Sequence, residues 1–103
     1  MLDIAMFLIA GIEFGIAFVV KSKAEFKKLQ AQGAKYGMNI DMIADADDGD
    51  ILCTIVDTDE TASQSEANSF LKSIKSSKTD WVQDHETVDG RKLIVFYAKE
   101  TLS

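Results

Sequence analysis

Two tetrapeptides set the frame of this chain: Ser22-Lys23-Ala24-Glu25 and Ser63-Gln64-Ser65-Glu66. Each is a capping box, in which a serine hydroxyl accepts a helical N–H and a glutamate reaches back toward a donor left free at the helix start. Each therefore opens a helix. After the first, Phe26, Leu29, Gly33 and Tyr36 recur on one face and Gly37 is a natural terminator, so the spacing predicts a helix over residues 23–36. After the second, Ala67, Phe70, Leu71 and Ile74 form an apolar stripe, predicting a helix over residues 63–76.

The remaining segments read as strands. Ile40, Met42 and Ala44 alternate with polar residues, Asp48-Gly49 follows, and then comes the apolar run from Ile51 to Val56. That is a hairpin signal, with Asp-Gly supplying the positive φ of a type I′ turn. Past the second helix, WVQDHETV and RKLIVFYA flank Asp89-Gly90, a second hairpin of the same kind. The unit of apolar strand, capping box, helix, strand, Asp-Gly turn and strand thus occurs twice. The pattern predicts one α+β domain over residues 1–103: a ferredoxin-like split β-α-β sandwich, two helices on one face of an antiparallel sheet, with extra strand material at the ends.

The opening MLDIAMFLIAGIEFGIAFVVKSK is apolar enough to raise a membrane span, and Gly11 and Gly15 make a GxxxG. Asp3 and Glu13 oppose that reading, and Asp3 has the wrong sign for a signal peptide. Parity is more informative. The even positions from Leu2 to Val20 are all apolar, whereas the odd ones hold both acids and both glycines. A period of two belongs to strands, so we expect one long or broken strand, or a hairpin bending near Gly11, and no membrane association.

A net charge of −6 argues against a general phosphate-binding surface and leaves room for a partner with a basic face. The single cysteine, Cys53, excludes an internal disulfide and makes a reducing, cytoplasmic setting the expectation. The stretch from Asp41 to Glu60 holds eight acids and no base, while Lys21, Lys23, Lys27, Lys28 and Lys35 cluster at the first helix. Such polarisation can be a solvated surface, or it can steer a basic partner.

The catalytic and metal readings are weaker. Asp45 to Asp50 fails as a calcium loop: counting from Asp45, the required glycine is Asp50 and the closing bidentate acid is Val56. Alternation sends His85 to the opposite strand face from Asp84 and Glu86, so these do not form a local triad, and no second histidine or cysteine offers a metal pair. Cys53, mid-strand between Leu52 and Thr54, reads as a small core residue. Residues 15–21 match an RNA-recognition pattern at Gly15, Ala17, Phe18 and Val19. However, Phe14 stands at its basic position, and Ile16 and Lys21 replace the aromatics that stack on bases.

In order of elements, residues 24–82 resemble the small acidic ribonuclease E inhibitors of the family called regulator of ribonuclease activity B. This resemblance is of pattern and not of motif, since Thr79-Asp80-Trp81 stands where that family tends to show Tyr-Asp-Gly-Trp. It implies an acidic ferredoxin-like fold that binds a nuclease.

The expectation is a small non-enzymatic protein, without cofactor or metal, that binds another protein with a basic surface as its inhibitor or regulator. Its acidity, size and lack of proline suit a phage or mobile-element accessory protein. The expected contact residues are Asp45, Asp47, Asp48 and Asp50 in the turn, with Asp57, Asp59 and Glu60 before the second helix. A nucleic-acid mimic, with carboxylates in place of phosphates, is the alternative; an enzyme or an RNA-binding domain ranks below it. Apolar strands at both termini suggest a homodimer.

Overall fold

The computed structural model describes residues 4–9, 11–45, 49–56, 64–76, 80–88 and 90–99. The elements run β1 (Met6–Ile9), β2 (Ile12–Val20), α1 (Lys23–Ala34), β3 (Ile40–Asp45), β4 (Ile51–Ile55), α2 (Gln64–Lys75), β5 (Trp81–Val88) and β6 (Arg91–Ala98). They form an α+β fold with a six-stranded mixed sheet in the order β3-β4-β2-β6-β5, and β1 pairs with β2 off that path.

Helix α1 begins as its capping box requires. Ser22 Oγ accepts the Glu25 N–H at 3.2 Å, and Glu25 Oε2 accepts the Lys21 N–H at 3.0 Å, one residue before the cap. The helix ends at Ala34, two residues short of the expected end, but the terminator works as anticipated. The N–H of Met38 donates to Gly33 O and that of Gly37 to Ala34 O, the paired bonds of a Schellman motif. For α2, Ser63 lies outside the described residues; the expected stripe is in place, with Ala67, Phe70 and Ile74 buried and Leu71 half-buried. Gln32 Nε2 donates to Ser73 Oγ at 2.8 Å, joining the two helices.

Both helices cover the same face. Phe26 and Leu29 of α1 and Phe70 and Ile74 of α2 share one core with Ile16, Phe18, Ile51, Cys53, Ile94 and Phe96 of the sheet. Phe18 is its centre: its ring lies 5.5 Å from Phe96, 5.7 Å from Trp81 and 5.8 Å from Phe70. A second, smaller cluster of Ala17, Leu93 and Val95 occupies the opposite face, with Ile4, Val19, Leu52 and Tyr97 packed against it and no helix residue among its members.

The N-terminal stretch is a hairpin. Pairing of Ile9 with Ile12 and Phe7 with Phe14 leaves a two-residue loop at residues 10–11, where Gly11 adopts φ +81°. A two-residue loop pairs odd positions with even ones. The apolar even positions of β2, such as Ile16, Phe18 and Val20, therefore face the helices, whereas on the other arm the odd residues do so, Phe7 in β1 and Ala5 just before it. The even residues of β1 turn to the other face, and Leu8 is left 57% exposed. One unbroken sequence period thus supplies both faces of the sheet. Strands β1 and β4 share one edge of β2: β1 pairs along Ile12–Gly15 and β4 along Ala17–Val20. Ala5 N–H donates to Ile55 O where they meet.

The structure corrects two expectations. The sheet is not purely antiparallel, because β2 and β6 run parallel, and this strand order differs from a ferredoxin-like one. In that arrangement the strand after the second helix pairs with the first; here β6 takes the place beside β2 and β5 forms the edge. Burial explains the exchange. Leu93, Ile94, Val95 and Phe96 are consecutive and all buried, so β6 needs cover on both faces, while β5 is exposed from Val82 to Thr87. The other correction concerns the β3–β4 hairpin. Its last pair is Asp45↔Ile51, so five residues, 46–50, separate the strands instead of a two-residue type I′ turn, and the register slips between Met42 and Ala44. The β5–β6 hairpin does have the two-residue loop, closing at Val88↔Arg91.

Candidate functional surfaces

The expected acidic contact surface is only partly described. Asp47, Asp48, Asp57, Asp59 and Glu60 lie outside the described residues. Asp45 is exposed at the end of β3. Asp50 is half-buried and engaged, with Lys21 Nζ lying 3.2 Å from each of its carboxylate oxygens. Acidic hairpin and lysine-rich segment therefore adjoin at this pair.

The sheet face without helices carries a set of acids that strand alternation places there. Cross-strand pairing puts Glu13 beside Leu8, Asp41 beside Thr54, Asp84 beside Val95 and Glu86 beside Leu93. All four carboxylates are exposed. They surround an apolar middle whose buried members are Ala17, Leu93 and Val95 and whose half-buried members include Ile4, Val19, Leu52 and Tyr97. Leu8 and Val82, 57% and 41% exposed, carry the apolar surface outward at two margins. Arg91 lies on this face at the hairpin end. Tyr97 Oη donates to Glu86 Oε1 at 3.0 Å. Desolvation first, then that bond and the negative charges of Glu86 and Asp84, raise the Tyr97 hydroxyl above its ordinary pKa.

Why these residues converge is legible in their chemistry. Gly15 lets the strands approach: a Cβ there would come within 2.5 Å of a Leu93 methyl and 2.9 Å of Ile4. Thr54 is fully buried, and its hydroxyl donates to Ile16 O at 2.8 Å, so this polar group costs little to enclose. Glu13, Asp84 and Glu86 were not among the expected contact residues. The signal that places Asp84 and Glu86 is the Asp89-Gly90 turn, since a two-residue loop fixes which residues of β5 share a face with Leu93 and Val95, and Glu13 is placed by its odd position in β2.

His85 points away from Asp84 and Glu86, as alternation requires, and its ring packs on Phe14 with centroids 5.5 Å apart. Cys53 is fully buried on the helix side with Sγ 3.5 Å from Phe18 O, and burial pushes its thiol up to about 12. A thiol so placed stays protonated at neutral pH and meets no nucleophile's requirement. Among the described residues no group of three or more histidine, cysteine or acidic side chains is placed to hold a metal ion, and no helix is long and apolar enough to cross a membrane.

No protein-family model matches the chain, and neither does any curated protein or any solved structure.

Proposed function

We propose that this chain is a non-enzymatic binding module that docks a protein with a basic surface and thereby inhibits or regulates it. The observation that carries the reading is the helix-free sheet face, whose apolar middle is ringed by Glu13, Asp41, Asp84 and Glu86. The half-buried Ile4, Val19, Leu52 and Tyr97 and the exposed Leu8 and Val82 are the apolar groups a partner could still desolvate, and a charged rim sets orientation and on-rate. The acids of residues 45–60, in a chain of net charge −6, add to the long-range negative potential that a basic partner would meet. Basic nucleic-acid-processing proteins are the partner class that such a field suits, and a phage or mobile-element origin suits so small an inhibitor.

Affinity capture from the native host's lysate at low and high salt tests this, with wild type beside an Asp84→Lys/Glu86→Lys variant. The expected result is one stoichiometric basic partner that high salt releases and the variant fails to capture. Equal capture by the variant would sink the assignment of this face. Capture by neither would sink the binding-module reading itself. A homodimer formed by pairing of the outer β5 edge is a separate proposal; light scattering that gives a monomer mass at all concentrations would refute it.

A further inference from the structure

On the helix side of the sheet, the two outer hairpins enclose a cavity of about 580 Å³ whose described lining comes entirely from strands. Ile94 is its buried base, and Phe14, Ile9 and Ile12 form its apolar wall. The polar side chains sit together on one rim. Gln83, His85 and Thr87 alternate along β5, and Lys92 stands directly across from Thr87. Directly opposed side chains are about 5 Å apart at Cβ, which sets Lys92 against Thr87; His85, opposite Ile94, is the next residue along β5 on the same face. The Phe14 ring, tilted 41° against the His85 ring, holds one wall of the cavity. Glu86 also borders the cavity, but its carboxylate is turned to the other sheet face, where it accepts the Tyr97 hydroxyl.

The chain carries a net charge of −6, yet here the outward groups are an ammonium, an imidazole, an amide and a hydroxyl, all able to donate hydrogen bonds. An apolar pocket of a few hundred Å³ with a few convergent polar groups is the ordinary form of a small-ligand site. A single lysine suits one negative charge better than a phosphate dianion. We infer that this cavity binds a small amphipathic monocarboxylate, its apolar body lying over Phe14 and Ile94 and its acid group held by Lys92 and His85. This site and the proposed protein-docking face lie on opposite sides of the sheet, so either can fail alone.

Titration of the full chain with decanoate, and separately with decanol, followed by calorimetry and by backbone amide shifts, tests the inference. Saturable binding of decanoate is expected, with shifts centred on Phe14, His85, Lys92 and Ile94. Removing one charge-assisted hydrogen bond by Lys92→Gln or His85→Gln should weaken decanoate about tenfold and leave decanol unchanged. Phe14→Ala should weaken both. Both polar positions are exposed, so these variants should fold as the wild type does. Absence of saturable binding, equal affinity for decanol and decanoate, shifts centred elsewhere, or decanoate binding that Lys92→Gln leaves intact would each overturn the site.

Discussion

The two faces of the sheet solve the same problem with different materials. Under the helices the core is aromatic and large, with the Phe18 ring in contact with Phe70, Phe96 and Trp81, and Trp81 with Phe96. On the other face the cluster is built from Ala17, Leu93 and Val95, with Gly15 and the hydroxyl-bonded Thr54 between the strands. Helices need bulky side chains to fill the gap between layers; on the other face, where the described residues include no helix, the side chains close the spaces between the strands themselves. The difference teaches that burial alone does not mark the same role. Phe18 and Val95 are 0% and 2% exposed, yet one joins two layers and the other belongs to a single one.

The sharpest break of this comparison is a pair of truncations. Phe18→Ala removes the ring that touches three others and should destabilise the protein by about 3–5 kcal/mol. Against a typical total of about 5–15 kcal/mol, that leaves a marginal fold. Val95→Ala removes two methyl groups from a shallower site and should cost about 2 kcal/mol. Urea denaturation of both variants measures the ratio. Equal losses would mean that the helix-free face is as tightly enclosed as the layered core.

A smaller effect separates the faces by pH. Cys53 belongs to the helix side and Tyr97 to the other, and both hold their protons more firmly folded than free. A group whose pKa is raised by folding contributes stability that is present below its unfolded pKa and lost as pH climbs through its folded one. For Cys53 the window runs from its ordinary 9.0 to about 12, so stability should fall across that range. Cys53→Ala should flatten part of the fall while costing some packing at neutral pH. Thermal melts at pH 8, 9 and 10 (solution conditions chosen to bracket the onset) should show the wild-type melting temperature dropping faster than that of the variant. Parallel slopes would mean that the thiol is not desolvated in the folded state. Thiol labelling gives an independent reading, slow in the native protein and fast after unfolding.

Much of this architecture was legible from residue order, and what was not is instructive. Both helices, the β5–β6 turn and the core positions of Phe26, Leu29, Phe70 and Ile74 follow from capping boxes, Asp-Gly and apolar spacing. Within the described residues the even-position period holds as a strand signal over Met6–Ile9 and Ile12–Val20, but period two carries no information about where a strand folds back. Only the turn length decides whether parity is kept or inverted, and Gly11 inverts it. The parallel β2–β6 pairing was missed because order along the chain was weighed above hydrophobicity. LIVFYA is the longest apolar run after β2, and a run without alternation asks for cover on both faces, hence a central place. The expected acidic contact residues rest on density in sequence; Glu13, Asp84 and Glu86 are scattered along the chain and share a sheet face only through register, which no local count reveals.

The smallest expected effect concerns the Lys21–Asp50 pair, where acidic hairpin and lysine-rich segment touch. Lys21 and Asp50 are 37% and 28% exposed at their side chains, so water and salt screen most of their attraction. Asp50→Asn should therefore change stability by less than about 1 kcal/mol, in contrast to the truncations of either face. What it should change is the field. The variant removes a carboxylate whose charge Lys21 already offsets, and leaves that lysine with one anion fewer. If the acidic hairpin steers a basic partner, Asp50→Asn should slow association less than Asp45→Asn, because Asp45 is exposed with no ion pair to any described residue. Association rates measured across a salt series would rank the two. A larger loss at Asp50 than at Asp45 would mean that the Lys21 pair shapes the hairpin itself, and that conformation, not charge, governs how this end of the sheet meets its partner.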